Sequence, residues 1–347
     1  MTSEPNLEPY AWLPSQLESV ALRLARADQL AYEMGDVIGE WSLDGPMTLL
    51  DIRRGASMRL EVESVRPVPP VASFLFSEAI NHLRAALDNV IWHLVSKANP
   101  RLSPSAQRAV SMPIFDHDNR EGFDKWAGRM KSAKITAFSS NARLGQAVRK
   151  LQPFEDGPSK VGSVSKRFAA VSGHDVELAH PLLLLQAYSN ADKHRTVQIA
   201  AARSFVSDDR TPLGAQDRRH RPLRVGDVLL RGRVGEVVGV ETQTAAMIRR
   251  PEPFTEWASP VQELNKLRQY LSEVAIPTLL TGLVLPSGLP PHIGLGDTGQ
   301  TLRERIISGG AADAVRRLDE PTRERMRKAE ARPIQRPRIV IEDEVQS

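Results

Sequence analysis

Residues 182–195 read LLLLQAYSNADKHR, an apolar run followed at once by amide, carboxylate, imidazole and cationic side chains. The run is typical of the start of a buried helix. The helical period places four residues on one apolar stripe: Leu183, Ala187, Asn190 and His194. Three others point away from that stripe: Ser189, Asp192 and Lys193. Because a buried amide and imidazole need hydrogen-bond partners, we expect a second segment to meet this helix.

The segment from Phe74 to Lys97 has the clearest helical pattern of the chain and is the expected partner. Its apolar positions recur at helical spacing: Ile80, Leu83, Leu87, Val90, Ile91, Leu94 and Val95. Asn81, Arg84 and Asp88 follow one another at neighbouring positions of the same helix, and Arg84 lies at the apolar edge. An arginine there is partly desolvated and should be paired. His82, Asn89 and His93 fall on the opposite side, where we expect them to be solvated.

Helices are also predicted at both ends of the central region. Residues 14–40 show helical spacing that ends at Gly35 or Gly39, and residues 261–283 show it again. Two β-hairpins are predicted, the first from residues 48–52 with 58–65, the second from residues 225–230 with 234–240. Residues 196–205 add a further strand. The sequence therefore predicts an α+β protein with a mainly helical core and a small, mostly antiparallel sheet of two hairpins.

The chain divides into three predicted regions. Residues 1–45 hold an N-terminal helix, residues 46–285 form the helical core with the small antiparallel sheet, and residues 286–347 form a charged, partly disordered C-terminal tail. Arginines and acids are interleaved from residue 301 to residue 331 without a clear apolar face.

Composition narrows the classes of function. The 347 residues include no cysteine, which excludes disulfides, thiolate metal sites and cysteine nucleophiles. A net charge of +4 permits a polyanionic partner, whereas only 5% aromatic residues argues against an extensive base-stacking surface. No phosphate-binding glycine loop is found and no cofactor is expected. The apolar runs are too short to span a membrane, so a cytoplasmic protein is expected.

The two polar segments suggest a shared site. If the helices pack together, His194 can act as general acid or base, Asp88 as the carboxylate that orients it, and Arg84 as a fixed cation. Five further residues are candidates for ligand binding: Asn81, Asn190, Asp192, Lys193 and Arg195. This set lacks a nucleophile of its own, which suits RNA cleavage by the 2′-hydroxyl. The alternative is a buried polar network that fixes the register of the helices.

Two other groups of residues are weaker candidates for a site. His82, Asp88, His93, Asp192 and His194 offer metal-binding side chains, but their spacing does not match a metal motif, and no metal is expected. An arginine-rich loop at residues 218–224 could touch phosphates, although such loops are more often solvated surface.

The two helices also carry a family resemblance. The segment that contains Leu83-Arg84-Ala85-Ala86-Leu87-Asp88, with Asn190-Ala191-Asp192-Lys193-His194-Arg195 about a hundred residues later, resembles a family of uncharacterised bacterial and phage proteins with paired LRxxLD and NxDKHR motifs. The resemblance spans roughly residues 45–245 and implies no established activity.

A looser resemblance is to helical ribonucleases of the HEPN type, which carry an Arg and a His on one helix with four to six residues between them. The only such spacing here is Arg167 to His174.

Together these features predict an intracellular bacterial or phage accessory protein whose inter-helix site binds or cleaves RNA without a metal. The alternative is a non-catalytic interaction protein that binds a partner protein.

Overall fold

A computed structural model describes residues 9–166, 169–170, 176–194, 199–212, 215, 221–236, 240–331 and 336–342. Within these ranges the side chains of residues 193–194, 200–208, 221 and 240–243 lie outside the description. The α+β class is confirmed, since helices dominate and the strands form small, mostly antiparallel sheets.

Helices follow the apolar periodicity of the sequence. In chain order they are α1 (Glu18–Leu43), α2 (Val71–Ala98), α3 (Pro104–Arg108), α4 (Arg120–Ser132), α5 (Arg143–Lys150), α6 (Pro181–His194), α7 (Pro260–Tyr270), α8 (Ile276–Thr281), α9 (Leu302–Ile307) and α10 (Ala314–Glu330). Short 3-10 turns cover Ser15–Leu17 and Thr136–Phe138, and a π-helical turn, Leu271–Ala275, joins α7 to α8.

The long helices α1 and α2 pack against each other and form the centre of the core, and α6 and α7 pack onto α2. The first helix passes through Gly35 and Gly39, where the sequence predicted its end. Gly35 is needed for packing, because a Cβ there would overlap Leu318 of α10. The glycine therefore allows a close helix contact rather than a chain reversal.

Three small sheets complete the fold. In the first, β1 (Met47–Arg54) and β2 (Ser57–Val65) form the predicted hairpin. The other strands are β3 (Val161–Gly162), β4 (Leu178–Ala179), β5 (Ile199–Asp208), β6 (Arg221–Pro222), β7 (Val228–Arg233), β8 (Val240–Arg249), β9 (Trp257–Ala258) and β10 (Arg338–Ile341). The sheet orders are β10-β1-β2-β7, β3-β4 and β6-β5-β8-β9, and β10 pairs with β1 in parallel.

The second predicted hairpin is wrong. Strand β7 pairs with β2, with Leu60 opposite Leu230, whereas β8 belongs to another sheet and pairs with β5. The two strands are neighbours in sequence but take partners that lie far away in the chain. Short apolar alternation shows that a strand exists without showing which strand it joins.

The expected C-terminal tail is in large part packed structure. Ile306, Ala314 and Leu318 are buried, and Asp28 of α1 accepts hydrogen bonds from the Ala314 backbone N–H, at 2.9 Å, and from Arg317 Nη2, at 2.5 Å. A narrow apolar contact with ionic ties holds α10, so its sequence shows no broad apolar stripe. Residues 338–341 reach the first sheet as β10. No helix in the described residues is long and apolar enough to cross a membrane.

Candidate functional site

The two motif helices, α2 and α6, meet inside the fold. Asn81 Nδ2 donates a hydrogen bond to Asp192 Oδ2 at 2.9 Å. Deeper in the interface the Phe76 and Tyr188 rings contact edge to face, with centroids 5.0 Å apart. These contacts fix the orientation of α6 against α2, so the polar residues of both helices face one region.

Arg84 and Asp88 hold the loop after α3 in place. Arg84 Nε donates to Asp88 Oδ2 at 2.9 Å, and its Nη2 donates to the Met112 carbonyl at 2.9 Å. Asp88 Oδ1 accepts from the Met112 backbone N–H at 2.9 Å. The expectation that Arg84 is paired at the apolar edge is confirmed, with a carboxylate of its own helix. Arg84 and Asp88 together bond the carbonyl and the N–H of Met112, which is a structural role.

A polar pocket opens beside this pair. Its volume is about 210 Å³, and all six lining residues are polar or charged: Arg84, Asp88, Ser111, Gln186, Ser189 and Asn190. In the part of the chain that the structure describes, the last four make no side-chain hydrogen bond to another protein group. Arg84 and Asp88 keep 19% and 31% of their side-chain surface exposed. The pocket therefore presents free donors and acceptors next to a fixed ion pair.

The buried face of α6 differs from the predicted one. Leu182, Leu184, Leu185, Tyr188 and Ser189 are buried, whereas Asn190 is exposed. Leu183 and Ala187, predicted on the buried stripe, are half-buried. The prediction was wrong because α6 packs against both α2 and α7, and the face that meets them is centred near Tyr188. Asn190 therefore reaches the open pocket, not the core.

Several predicted candidates lie outside the described residues. Lys193 and His194 end α6, but their side chains are not described, and Arg195 follows the described part of the helix. Arg167, His174 and residues 218–220 of the arginine-rich loop also lie outside the described residues. The backbone places His194 four residues after Asn190, one helical turn further along α6.

A buried ionic network supports the back of α6. Arg250 Nε and Nη2 donate to both oxygens of Glu263, at 2.8 and 3.0 Å, and the Tyr188 hydroxyl donates to Glu263 Oε1 at 3.1 Å. Arg250 also donates to the Glu177 carbonyl at 2.9 Å. Burial raises the pKa of the Glu263 carboxyl, so its charge depends on Arg250. The network is closed to solvent and ties α6 to α7 and to the residue after β8.

His180 caps the start of α6. Its Nδ1 accepts from the Leu182 backbone N–H at 3.2 Å, so Nε2 carries the proton and donates to Asp156 Oδ2 at 3.3 Å. Tyr270 also donates to Asp156 Oδ2, at 3.0 Å. Burial lowers the pKa of His180 and outweighs the attraction of Asp156. No sequence pattern distinguishes this histidine, and its role is visible only from its contacts.

The histidines on the far side of α2 do not join the pocket. His82 is half-buried against α1, and its pKa is lowered by burial and then by Arg23 and Arg26. The expectation that it is solvated was wrong because α1 covers this side. His93 lines a separate groove with Trp92 and Lys97. Among the described residues, no three His, Asp or Glu side chains are grouped closely enough to hold a metal ion.

Sequence reasoning missed three residues of the pocket. Gln186 and Ser189 are on α6 itself, and Gln186 lies one turn before Asn190, so helical spacing from Asn190 would have found it. Ser111 lies on the loop that Arg84 and Asp88 hold, and no local pattern connects it to either helix.

The chain matches no protein-family model, no curated protein and no solved structure. The resemblances to the paired-motif family and to HEPN-type ribonucleases therefore stay predictions.

Proposed function

We propose that the pocket between α2 and α6 binds a nucleotide unit of RNA or of another phosphate-bearing ligand. One observation carries the proposal: four hydrogen-bonding side chains line this pocket without partners in the described part of the chain. In the open pocket the polar groups of Ser111, Gln186, Ser189 and Asn190 are available to bond an incoming molecule. A polar ligand would satisfy them.

The chemistry of the lining suits a nucleotide. Two amides and two hydroxyls supply both donors and acceptors, the groups that recognise base edges and ribose. Arg84 adds a guanidinium that can contact a phosphate, while its ion pair with Asp88 keeps the pocket close to neutral. The volume of about 210 Å³ is smaller than the roughly 300–1,000 Å³ of typical ligand pockets. The pocket thus fits part of a ligand rather than a large cofactor.

The catalytic form of the proposal is metal-independent RNA cleavage. The ribose 2′-oxygen attacks the adjacent phosphorus and gives its proton to His194, while the P–O5′ bond breaks and a water molecule protonates the leaving 5′-oxygen, giving a 2′,3′-cyclic phosphate. Arg84 stabilises the charge on the phosphorane. The position of His194 one turn beyond Asn190 supports this assignment, with Lys193 and Arg195 as neighbouring cations.

Replacing His194 with alanine tests catalysis. We expect His194→Ala to abolish cleavage of single-stranded RNA, measured by gel electrophoresis, while the melting temperature stays near that of the wild type. Asn190→Ala is the matched control on the same helix, because it should weaken nucleotide binding without removing the proton-transfer group. A large drop in the melting temperature of His194→Ala would contradict the catalytic assignment.

A second candidate function is a non-catalytic interaction protein with a structural motif. The bonds from Arg84 and Asp88 to the Met112 backbone favour it, since they tie part of the first motif to the loop after α3. Asp192 is likewise engaged by Asn81. Isothermal titration calorimetry with nucleoside monophosphates separates the two candidates, because only the first predicts that Asn190→Ala and Gln186→Ala each weaken a measurable binding signal.

A further inference from the structure

A stretch of the chain outside the pocket is rich in lysine and arginine. Between Asp124 and Glu155 the sequence contains seven Lys or Arg residues and no acid: Lys125, Arg129, Lys131, Lys134, Arg143, Arg149 and Lys150. Elsewhere in the chain, as in α10, arginines alternate with carboxylates. This is the longest strongly basic stretch with described structure, and it covers α4, α5 and their connection.

The seven cations lie on α4, on α5 and on the connection between them, and both helices pack against the turn Thr136–Phe138 of that connection. Helix α5 packs against the turn after α4 at Gly145, where a Cβ would overlap the Ser139 carbonyl. Arg149 Nη1 contacts Asp124 Oδ1 of α4 at 3.0 Å, which ties the two helices together. Beneath them, Trp126 of α4 contacts Phe138 with ring centroids 4.9 Å apart. These contacts hold the two helices together.

Two of the seven cations are neutralised and five are not. Lys125 is paired with Glu121, and Arg149 with Asp124 and Glu155. Among the described residues, no carboxylate lies within ion-pair distance of the other five, and all five are exposed: Arg129, Lys131, Lys134, Arg143 and Lys150. We call these five residues the basic surface. Arg143 and Lys150 bond backbone carbonyls near the end of α8, which positions them without removing their charge.

Lys134 occupies a backbone position that favours glycine. Its φ is 61°, in the left-handed region, at the end of α4 where the Ile135 N–H bonds the Met130 carbonyl at 2.9 Å. Glycine adopts this helix-ending conformation without a steric penalty, whereas lysine does not. The backbone therefore gains nothing from lysine here, and the exposed ammonium group is what the residue adds.

The basic surface is connected to the pocket through α2. Asn99, at the end of α2, donates to the Lys134 carbonyl at 3.3 Å and to Thr136 Oγ1 at 2.9 Å. Asp88, at the pocket, is eleven residues earlier in the same helix. With a rise of about 1.5 Å per residue, the two levels are about 17 Å apart along α2. A flexible strand of a few nucleotides can span such a distance.

We infer that the basic surface binds the phosphate backbone of single-stranded RNA whose nucleotide unit occupies the pocket. The inference rests on the proposed function for its choice of polyanion. Lysine and arginine side chains without carboxylate partners gain affinity by releasing counterions from phosphates, independently of sequence. The pocket would then select the nucleotide, while the basic surface supplies affinity that grows with the length of the strand.

Fluorescence anisotropy with a length series of RNA tests the inference. The probes are a dinucleotide and a single strand of about twelve nucleotides, titrated from about 50 to about 200 mM salt. The test variant is Arg129→Gln with Lys131→Gln and Lys134→Gln. We expect it to bind the longer strand about tenfold more weakly at low salt and the dinucleotide as the wild type does. The slope of log affinity against log salt should decrease in magnitude by about 2, since each phosphate contact contributes about 0.7.

A matched control separates position from net charge. Arg316→Gln with Arg323→Gln and Arg327→Gln removes the same charge from exposed residues of α10, where acids are interleaved. Equal losses in both triple variants would overturn the inference, as would an equal loss for the dinucleotide. Lys134→Gly guards against misfolding, because it should keep or raise the melting temperature and still weaken binding of the longer strand.

Two further outcomes distinguish this inference from the proposed function. If the longer strand binds through the basic surface while the dinucleotide does not bind and Asn190→Ala changes nothing, the pocket proposal fails and the inference stands. If phosphatidylserine vesicles bind through the basic surface and the longer strand does not bind, the assignment to RNA is overturned.

Discussion

Tyr188 and Ser189 are adjacent in α6, yet they face two different polar environments. Tyr188 is fully buried and donates to Glu263, inside a network where Arg250 engages both carboxylate oxygens. Ser189 lines a pocket in which it and three other polar side chains make no hydrogen bond to the described part of the protein. Both sides of α6 are rich in polar groups, but only on the Tyr188 side are these groups hydrogen-bonded to one another.

The difference shows how to separate structural from functional polarity in this molecule. A closed network has every charge matched and excludes water, so it stabilises one arrangement of the helices. An open pocket with spare donors and acceptors contributes little to the fold and can bind a ligand. The Arg84–Asp88 pair belongs to both classes, because it holds the Met112 backbone and also lines the pocket.

The largest effect on the free energy of unfolding is expected for the buried network of Arg250, Glu263 and Tyr188. Glu263→Ala leaves Arg250 buried without its main carboxylate partner, and such a change typically costs about 3–5 kcal/mol. Urea unfolding should therefore show a strong fall in the free energy of unfolding. Tyr188→Phe is the control that removes one hydrogen bond and keeps the ion pair, and it should cost only about 0.5–1.5 kcal/mol. Equal effects of the two changes would contradict the importance of the ion pair.

An intermediate effect is expected at the shared pair. Asp88→Ala removes the acceptor of the Met112 N–H and the partner of Arg84, which should lower the free energy of unfolding by about 1–3 kcal/mol. Hydrogen exchange should show faster exchange of the Met112 amide. Asp88→Asn is the milder comparison, because its amide oxygen can still accept that bond. If Asp88→Ala leaves both the free energy of unfolding and the exchange of the Met112 amide unchanged, the hydrogen bonds of Asp88 have no structural role.

A smaller and pH-dependent effect is expected at the His180 cap. Since burial lowers the pKa of His180, the native state takes up a proton less readily than the unfolded state, whose histidine titrates near pH 6.5. Stability is therefore fully present above about pH 6.5 and is lost as the pH falls toward the folded pKa. The same direction holds for Asp156 in more acidic solution: burial opposes its ionisation, but the hydrogen bonds from His180, Ser159 and Tyr270 prevail and lower its pKa.

Thermal melts between about pH 7 and pH 5 check this linkage. His180→Asn supplies a side-chain oxygen that can cap α6 but does not titrate, so it should reduce the pH dependence in this range. An unchanged slope would show that other groups cause the acid sensitivity.

How far the sequence predicts this molecule depends on how local each feature is. The first hairpin and α2 were predicted because alternation and helical spacing lie within one segment. The pairing of β7 with β2 was not, since its partner is remote in sequence. Helix α10 was expected in a tail because it docks through Leu318 and the Arg317–Asp28 ion pair rather than through a broad apolar face.

The candidate site was predictable to a similar extent. Packing the two motif helices together predicted that Arg84, Asp88 and Asn190 lie in one region, and all three line the pocket. The buried side of α6 could not be predicted from the motif. It depends on the packing of α7 and on the hydrogen bond of Tyr188 to Glu263, and both partners lie outside the motif. Ser111 enters the pocket only because Arg84 and Asp88 hold its loop.

The smallest effect on stability is expected at Asn190, where the effect on function should be clearest. Its side chain is exposed and makes no hydrogen bond within the described residues, so Asn190→Ala should change the free energy of unfolding by less than about 0.5 kcal/mol. Nucleotide binding should nevertheless weaken by about fivefold to tenfold, the loss expected for one or two hydrogen bonds to a ligand. Calorimetric titration beside a urea melt measures both quantities on one preparation. A stability loss comparable to that of Asp88→Ala would mean that the pocket belongs to the same structural class as the Glu263 network, whereas unchanged binding would remove Asn190 from the site.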